Sequence, residues 1–95
     1  DTDITFLKYL QDFIAVRFKE MPEGSYTTSL FKKGVNRMPQ KVGEEAVETV
    51  IEAVNGTEEG FLYEASDLVY HLIVLLTSKG YSLDDLAREL KKRHK

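Results

Sequence analysis

The feature that most constrains the fold is a long apolar segment that carries ionisable side chains on one helical face. Residues 61–76 read FLYEASDLVYHLIVLL and contain no Lys or Arg. A helix that is apolar nearly all round is typical of a central, buried position. Yet Glu64, Asp67 and His71 are spaced at i, i+3 and i+7, so they share one face. Because buried carboxylates need partners, the segment predicts either a functional cluster or salt bridges to distant cations. The candidate cations are Lys33, Lys41 and Arg88.

An acidic stripe precedes this segment. At about 100° per residue, Glu44, Glu48 and Glu52 form one line along a helix, and Glu45 lies beside it. A solvated helix face usually intersperses Lys with Glu, and like charges at i, i+4 are mildly destabilising. The stripe contains no Lys, so a metal site and an ordinary solvated face stand as its two interpretations.

Charges are segregated over the middle of the chain. Residues 42–78 contain eight acids and no Lys or Arg, whereas residues 24–43 contain four cations and no acid. The cations are Lys32, Lys33, Arg37 and Lys41. Crowded carboxylates favour a divalent cation, and a basic segment with Gly and Ser suits a polyphosphate. The pattern indicates metal-assisted chemistry on a phosphate ester.

Two carboxylate pairs are expected to meet. If the acidic stripe and the apolar helix are antiparallel neighbours, Glu45-x-x-Glu48 faces Glu64-x-x-Asp67. Ligation by oxygen alone suits Mg²⁺ or Mn²⁺. A di-iron bundle would want Glu-x-x-His on two helices, but His71 follows Asp67 by four residues and the stripe has no His. His71 orients a carboxylate, contacts substrate or is a hydrogen-bonded core histidine.

The periodicity predicts an all-α fold, a bundle of about four to five helices in one domain over residues 1–95. Helix stop and start signals give the bounds. They are a first helix from about Ile4 with Thr2 or Asp3 as N-cap, a stop at 21–25, a short helix at 28–33, a third from near Pro39 to Val54, a fourth capped by Thr57 and ending near Lys79, and a last one opened by a Ser82–Asp85 capping box. A start before Pro39 would be expected to kink the third helix.

Composition excludes several classes of protein. The absence of Cys removes disulfides and thiolate metal sites, and a net charge of −3 argues against a nucleic-acid binder. The apolar run 68–76 is too short to span a bilayer and no secretory signal is visible, so a cytoplasmic protein without a membrane partner is expected. The chain begins at Asp1 without Met, as expected of a trimmed chain or of one domain of a longer polypeptide. Its small size favours oligomers.

Three blocks of sequence resemble a known family. The pattern EExxE, fifteen intervening residues and ExxD resembles the metal motif of the all-α NTP pyrophosphohydrolase (MazG-like) superfamily. Within it, PEGSYT at 22–27, QKVGEEAVE at 40–48 and EASDLVYHL at 64–72 are similar to phosphoribosyl-ATP pyrophosphohydrolases of histidine biosynthesis. The bare acidic motif is weak, whereas the two longer blocks together are specific.

The resemblance implies a helical homodimer whose active sites use both subunits. It implies Mg²⁺-dependent hydrolysis of the α–β phosphoanhydride of phosphoribosyl-ATP to phosphoribosyl-AMP and pyrophosphate. It also implies that some natural chains are fused behind a phosphoribosyl-AMP cyclohydrolase domain. Another MazG-like enzyme, acting on a non-canonical NTP or dUTP, and a non-catalytic helical dimerisation module are the alternatives.

Residue roles follow from the family and from the chemistry of each side chain. The expected metal ligands are Glu45, Glu48, Glu64 and Asp67, and the expected catalytic acids are Glu44, Glu45 and Glu48, one of which takes a proton from water. The expected substrate-binding residues are Ser25, Tyr26, Lys33, Arg37, Lys41 and His71. The cations have ordinary surface charge as their alternative, and the hydroxyls have a turn-forming role.

Overall fold

A computed structural model describes residues 2–94, and within that range the chain is helical with no strand. The elements are a 3₁₀ turn Asp3–Thr5 and the α-helices α1 Phe6–Glu20, α2 Tyr26–Lys33, α3 Arg37–Asn55, α4 Glu58–Ser78 and α5 Leu83–Arg93. The all-α prediction of four to five helices is confirmed. Of the predicted domain 1–95, the terminal residues Asp1 and Lys95 lie outside the described part.

The segment between α1 and α2 ends one helix and caps the next. Met21 adopts the left-handed conformation at φ 50°, and its N–H bonds to the Arg17 carbonyl, which closes α1. Ser25 Oγ then accepts from the N–H of Thr28 at 3.3 Å. Because the cap is Ser25, α2 begins at Tyr26, two residues before the predicted start.

The third helix starts earlier than predicted. It begins at Arg37, so Pro39 is its third residue and lies in the first turn. The N–H groups of a first turn have no partner inside the helix, so the missing donor of Pro39 costs nothing there. Lys41 lies inside α3 with either start, one turn before Glu45.

The later helix starts agree with the predicted caps. Thr57 Oγ1 accepts from the N–H of Gly60 at 2.9 Å at the start of α4. Ser82 donates its backbone N–H to Asp85 Oδ2 at 2.9 Å, which forms the predicted capping box of α5. Gly80, at φ 85°, makes the left-handed turn after α4.

An antiparallel hairpin of α3 and α4 is the most extensive packing in the chain, and α1 packs across α4. The buried apolar residues come from four helices and are Ile14, Leu30, Phe31, Met38, Ile73 and Val74. The prediction that α4 is a central, buried helix holds for only part of its length in the single chain. Its C-terminal half lies in the core, whereas Leu62 and Tyr63 near its start are 66% and 70% exposed, because no other element among residues 2–94 covers them.

In length and composition, α4 meets the requirements for crossing a membrane, with a mean hydropathy of 1.2, although the apolar run alone was expected to be too short. Central helices of folded domains meet the same requirements. Glu64, Asp67 and His71 lie in the middle of α4 beside the acids of α3, as described below, and ionisable groups are costly at the centre of a bilayer. The helix is therefore interpreted as the core helix of a bundle.

Candidate active site

The acids predicted to ligate a metal come together between α3 and α4. Carboxylate oxygens of Glu45, Glu48 and Glu64 lie within 4.8 Å of one another. A second group within the same limit joins Glu45 and Asp67 to the ring of His71. The i, i+3 spacing on each helix places both members of a pair on the shared face, and the two-residue connection between the helices sets their register. Glu45 belongs to both groups and is the centre of the cluster.

Glu45 is the most enclosed of these acids. It is 4% exposed, and its Oε1 is buried without a hydrogen-bond partner in the described residues. A buried acceptor left unsatisfied is costly, more so when it is charged. The orphaned oxygen therefore marks a place where a cation fits.

The carboxylates perturb one another. Burial opposes ionisation of Glu45, but the Lys41 ammonium and the neighbouring carboxyl groups of Asp67 and Glu64 outweigh it and hold the pKa of Glu45 below its usual value. Burial and the nearby Glu45 carboxylate raise the pKa of Asp67. Desolvation, together with the facing carboxylates of Glu45 and Glu48, raises the pKa of Glu64 to about 7. Protons thus substitute for a missing positive charge in the cluster.

One cation reaches the cluster. Lys41 Nζ lies 3.2 Å from Glu45 Oε2 and 3.6 Å from Glu44 Oε1, and its side chain is 18% exposed. The expectation that the acidic face lacks a local cation is therefore corrected. Lys41 lies on α3 one turn before Glu45, so it belongs to the same helix as the acids of the stripe. Within residues 2–94 no other Lys or Arg forms an ion pair with the cluster.

His71 connects the cluster to α2. Its Nδ1 lies 2.8 Å from the backbone oxygen of Asp67, and its Nε2 lies 2.8 Å from the hydroxyl of Tyr26. A carbonyl can only accept, so Nδ1 carries the proton and Nε2 accepts from Tyr26. Both nitrogens are engaged, so His71 in this arrangement orients its neighbours and has no nitrogen for a metal.

A pair of hydrogen-bonded hydroxyl groups lies beside His71, and the sequence patterns do not predict it. Thr27 Oγ1 and the Tyr70 hydroxyl are hydrogen-bonded, and Thr27 is buried. Tyr70 also packs against the buried apolar core. The contact joins α2 to α4 over 43 residues of sequence, and no local spacing indicates it.

The remaining predicted residues lie around the cluster or outside it. Glu44 is exposed and accepts from Gln40 Nε2 at 2.9 Å, and Ser25 is occupied as the cap of α2. Lys33 ends α2 and is exposed, while Arg37 opens α3 and is half-buried. No ion pair holds Lys33 or Arg37 in the described range.

The donor set fits a hard divalent cation. Every candidate ligand is a carboxylate oxygen, and Mg²⁺ and Mn²⁺ prefer oxygen ligands. The buried Oε1 of Glu45 is the group that such an ion would satisfy. The all-oxygen donor set and this unsatisfied buried oxygen together support binding of such an ion.

Comparisons with known proteins agree with this geometry. A family model described as "Phosphoribosyl-ATP pyrophosphohydrolase" matches residues 7–94. The chain is 69% identical to the histidine biosynthesis bifunctional protein HisIE of Bacteroides thetaiotaomicron, with 96% of this chain aligned to 45% of that protein. It is 48% identical to a phosphoribosyl-ATP pyrophosphatase of Leptospira biflexa and 50% identical to one of Metallosphaera sedula. Those alignments cover 94% and 99% of this chain and 97% and 99% of the relatives.

The lengths of the relatives differ. This chain spans less than half of the bifunctional protein and nearly all of the two pyrophosphatases. The family match and the identities cover the helices that carry the acidic cluster. The chain belongs to the phosphoribosyl-ATP pyrophosphohydrolase family.

Proposed function

We propose that this chain hydrolyses the α–β phosphoanhydride of phosphoribosyl-ATP, releasing phosphoribosyl-AMP and pyrophosphate in histidine biosynthesis. The observation that carries the proposal is the carboxylate cluster between α3 and α4, with the orphaned oxygen of Glu45 at its centre. The family match and the names of the pyrophosphatase relatives support the substrate.

The cofactor of the reaction is Mg²⁺, which Mn²⁺ can replace. Glu45, Glu48, Glu64 and Asp67 would hold it, directly or through water, since Mg²⁺ usually keeps several water ligands. When bound, the ion supplies charge neutralisation for the triphosphate and for the pyrophosphate that leaves. Burial and the neighbouring carboxylates raise the pKa values of Glu64 and Asp67, so a bound cation would relieve the cost of ionising them.

The remaining chemistry belongs to side chains around the cluster. Glu44 is exposed beside the buried Glu45 and accepts the proton of the attacking water, with Glu45 and Glu48 as the other candidate bases. Lys33, Arg37 and Lys41 bind phosphate oxygens with charge-assisted hydrogen bonds. The chain has no Cys, and a water nucleophile needs no covalent intermediate.

Substrate orientation falls to α2 and α4. The Tyr26–His71 hydrogen bond fixes the start of α2 against Asp67, so Ser25 and Tyr26 contact the substrate and the buried His71 positions Tyr26. A cavity of about 410 Å³ lies beside this start and is bordered by Ser25, Tyr26 and Lys32. Its hydroxyl and ammonium groups suit a phosphoribosyl group.

The working form is a homodimer. Apolar side chains on the outer face of α3 and the start of α4 are more than half exposed, and they are Val47, Val50, Ile51, Val54, Leu62 and Tyr63. A contiguous apolar surface of this kind marks an interface. Val47 and Ile51 border a groove of about 490 Å³ that also includes Glu44 and Glu48, so a second copy would flank the carboxylates.

The protein acts in the cytoplasm on a small-molecule substrate, without a nucleic-acid or membrane partner. The bifunctional relatives combine a matching segment with a second part of similar length. By analogy, a phosphoribosyl-AMP cyclohydrolase domain, fused or associated, would consume the product of this chain.

The test measures pyrophosphate release with Mg²⁺ from phosphoribosyl-ATP, dUTP, ATP and other NTPs in parallel. Release from phosphoribosyl-ATP alone, abolished by EDTA and by Glu48→Gln, is the expected result. Release from a different nucleotide would overturn the substrate and keep the metal chemistry. Folded protein that releases pyrophosphate from none of them would overturn the proposed activity of the chain.

A further inference from the structure

We propose that Lys41 is an internal counter-ion that holds Glu45 in the metal-free chain and leaves it when the divalent cation binds. The freed ammonium then faces the phosphates of the substrate. This inference rests on the proposed function, because the displacing ion is the one assigned to Glu45 and its neighbours.

The position of Lys41 distinguishes it from the other cations. Its ammonium lies 3.2 Å from Glu45 Oε2, on the carboxylate whose other oxygen is buried without a partner. The pair is enclosed, with side-chain exposures of 18% for Lys41 and 5% for Glu45. Lys41 therefore supplies part of the positive charge that the cluster lacks, and it supplies it at the central acid.

The ammonium and a divalent ion compete for the same group. Mg²⁺ sits about 2.1 Å from a ligand oxygen, so an ion on Glu45 Oε2 would lie within about 5 Å of the present ammonium position, and an ion on Oε1 within about 7 to 8 Å. Like charges at that separation repel strongly in a partly enclosed site. A lysine has a flexible four-carbon stem and no fixed bidentate geometry, so it can move away while α3 keeps its place.

The exchange gives the site an order of events. Before the ion enters, Lys41 neutralises Glu45 and is withheld from phosphate. After the ion enters, the ammonium is released one helical turn before Glu45. This position lies at the N-terminal end of α3, next to the other basic residues of the segment 24–43. Lys41 thus weakens binding of the free metal ion and strengthens binding of the metal–nucleotide complex.

Titration with Mn²⁺ alone, followed by calorimetry or electron paramagnetic resonance, tests the competition. Lys41→Met removes the ammonium and retains the length of the side chain. We expect it to bind Mn²⁺ at least about tenfold more tightly than the unsubstituted chain, because the ion no longer competes with the Lys41 ammonium or is repelled by it. Lys32→Met removes a nearby exposed charge and controls for the general field. If Lys41→Met bound Mn²⁺ no more tightly than Lys32→Met does, the inference would be overturned.

Thermal unfolding of the same variants gives a second readout. Without metal, Lys41→Met leaves Glu45 buried without a counter-ion and should melt below the unsubstituted chain, and Mn²⁺ should raise its melting temperature by more. A variant that folds only with Mn²⁺ supports the exchange. A variant that stays unfolded at saturating Mn²⁺ contradicts it.

The unsubstituted chain provides a test that needs no variant. Acetylation with an N-hydroxysuccinimide ester, quantified by mass spectrometry, should modify Lys41 several-fold faster after Mg²⁺ is added, and pyrophosphate should restore protection. Acetylation of Lys41 that does not change with Mg²⁺ would overturn the exchange while leaving the proposed hydrolysis intact. If the unsubstituted chain and Glu45→Gln both failed to bind Mn²⁺, the metal assignment would fail together with the inference.

Discussion

The hydroxyl of Tyr26 donates to Nε2 of His71 over 2.8 Å, and this contact fixes the start of α2 against the helix that carries Asp67. The two residues are 45 positions apart in the sequence, so the bond joins the basic segment to the acidic one. The His71 ring is 3% exposed, and its other nitrogen, Nδ1, donates to the backbone carbonyl of Asp67. The basic residues proposed to bind phosphate and the carboxylates proposed to bind the metal are thereby held in one geometry.

Tyr26→Phe should therefore destabilise the chain by about 1 kcal/mol, the net value of one hydrogen bond. Urea unfolding measures this change. Tyr81→Phe is the matched control, because Tyr81 lies between α4 and α5, is 56% exposed and has no side-chain hydrogen bond in the described residues. Equal stabilities of the two variants would show that the Tyr26–His71 contact contributes nothing.

Glu45→Gln should reduce kcat/KM for phosphoribosyl-ATP by at least about 100-fold. Changing groups that merely support a metal ligand costs 10–100-fold, so loss of the central ligand should cost no less. Glu59→Gln, in the exposed first turn of α4, is the control and should retain activity. Comparable kcat/KM values in both variants would remove Glu45 from the site.

Stability without metal should depend on pH through Glu64. The pKa of Glu64 is raised to about 7 in the folded chain. Between the ordinary glutamate pKa and about 7, the folded chain therefore binds a proton that the unfolded chain has already released. The stabilisation from that proton is present below the ordinary glutamate pKa and is lost as pH rises toward about 7. Urea unfolding in EDTA between about pH 4 and about pH 8 should show this decline, and Glu64→Gln should flatten it. An unchanged slope in Glu64→Gln would contradict the assignment.

Val50→Lys should convert the proposed dimer to a monomer. Val50 is 61% exposed in the middle of the outer face of α3, and a charge there would be buried unpaired in the interface. Sedimentation velocity measures the change in mass. Val35→Lys is the control, since Val35 is 68% exposed but lies in the turn between α2 and α3. A chain that sediments as a monomer without substitution would contradict the proposed interface.

Local signals in the sequence predict the helices well. Thr57, Ser82 and Gly80 act at their own positions, through hydrogen bonds and φ values that involve only near neighbours. The start of α3 was harder, because Pro39 is compatible with several positions in a first turn. The apolar pattern of α4 could not show which half is covered, since that depends on tertiary packing.

The site was predictable where helical spacing determines it. The pairs Glu45–Glu48 and Glu64–Asp67 face each other because each pair repeats at i, i+3 on adjoining helices. The contacts of Tyr26 with His71 and of Thr27 with Tyr70 depend on how α2 docks. That docking is a long-range property, so spacing within one segment gives no sign of it.

The two-residue connection between α3 and α4 also bears on how the chain folds. Contacts that are close in sequence form early, because little loop-closure entropy opposes them. The hairpin of α3 and α4 should form before α1 and α2 dock, and it brings all four carboxylates together when it closes. Electrostatic repulsion in the cluster would then slow this early step, and a divalent ion present during refolding should speed it as well as stabilise the native chain.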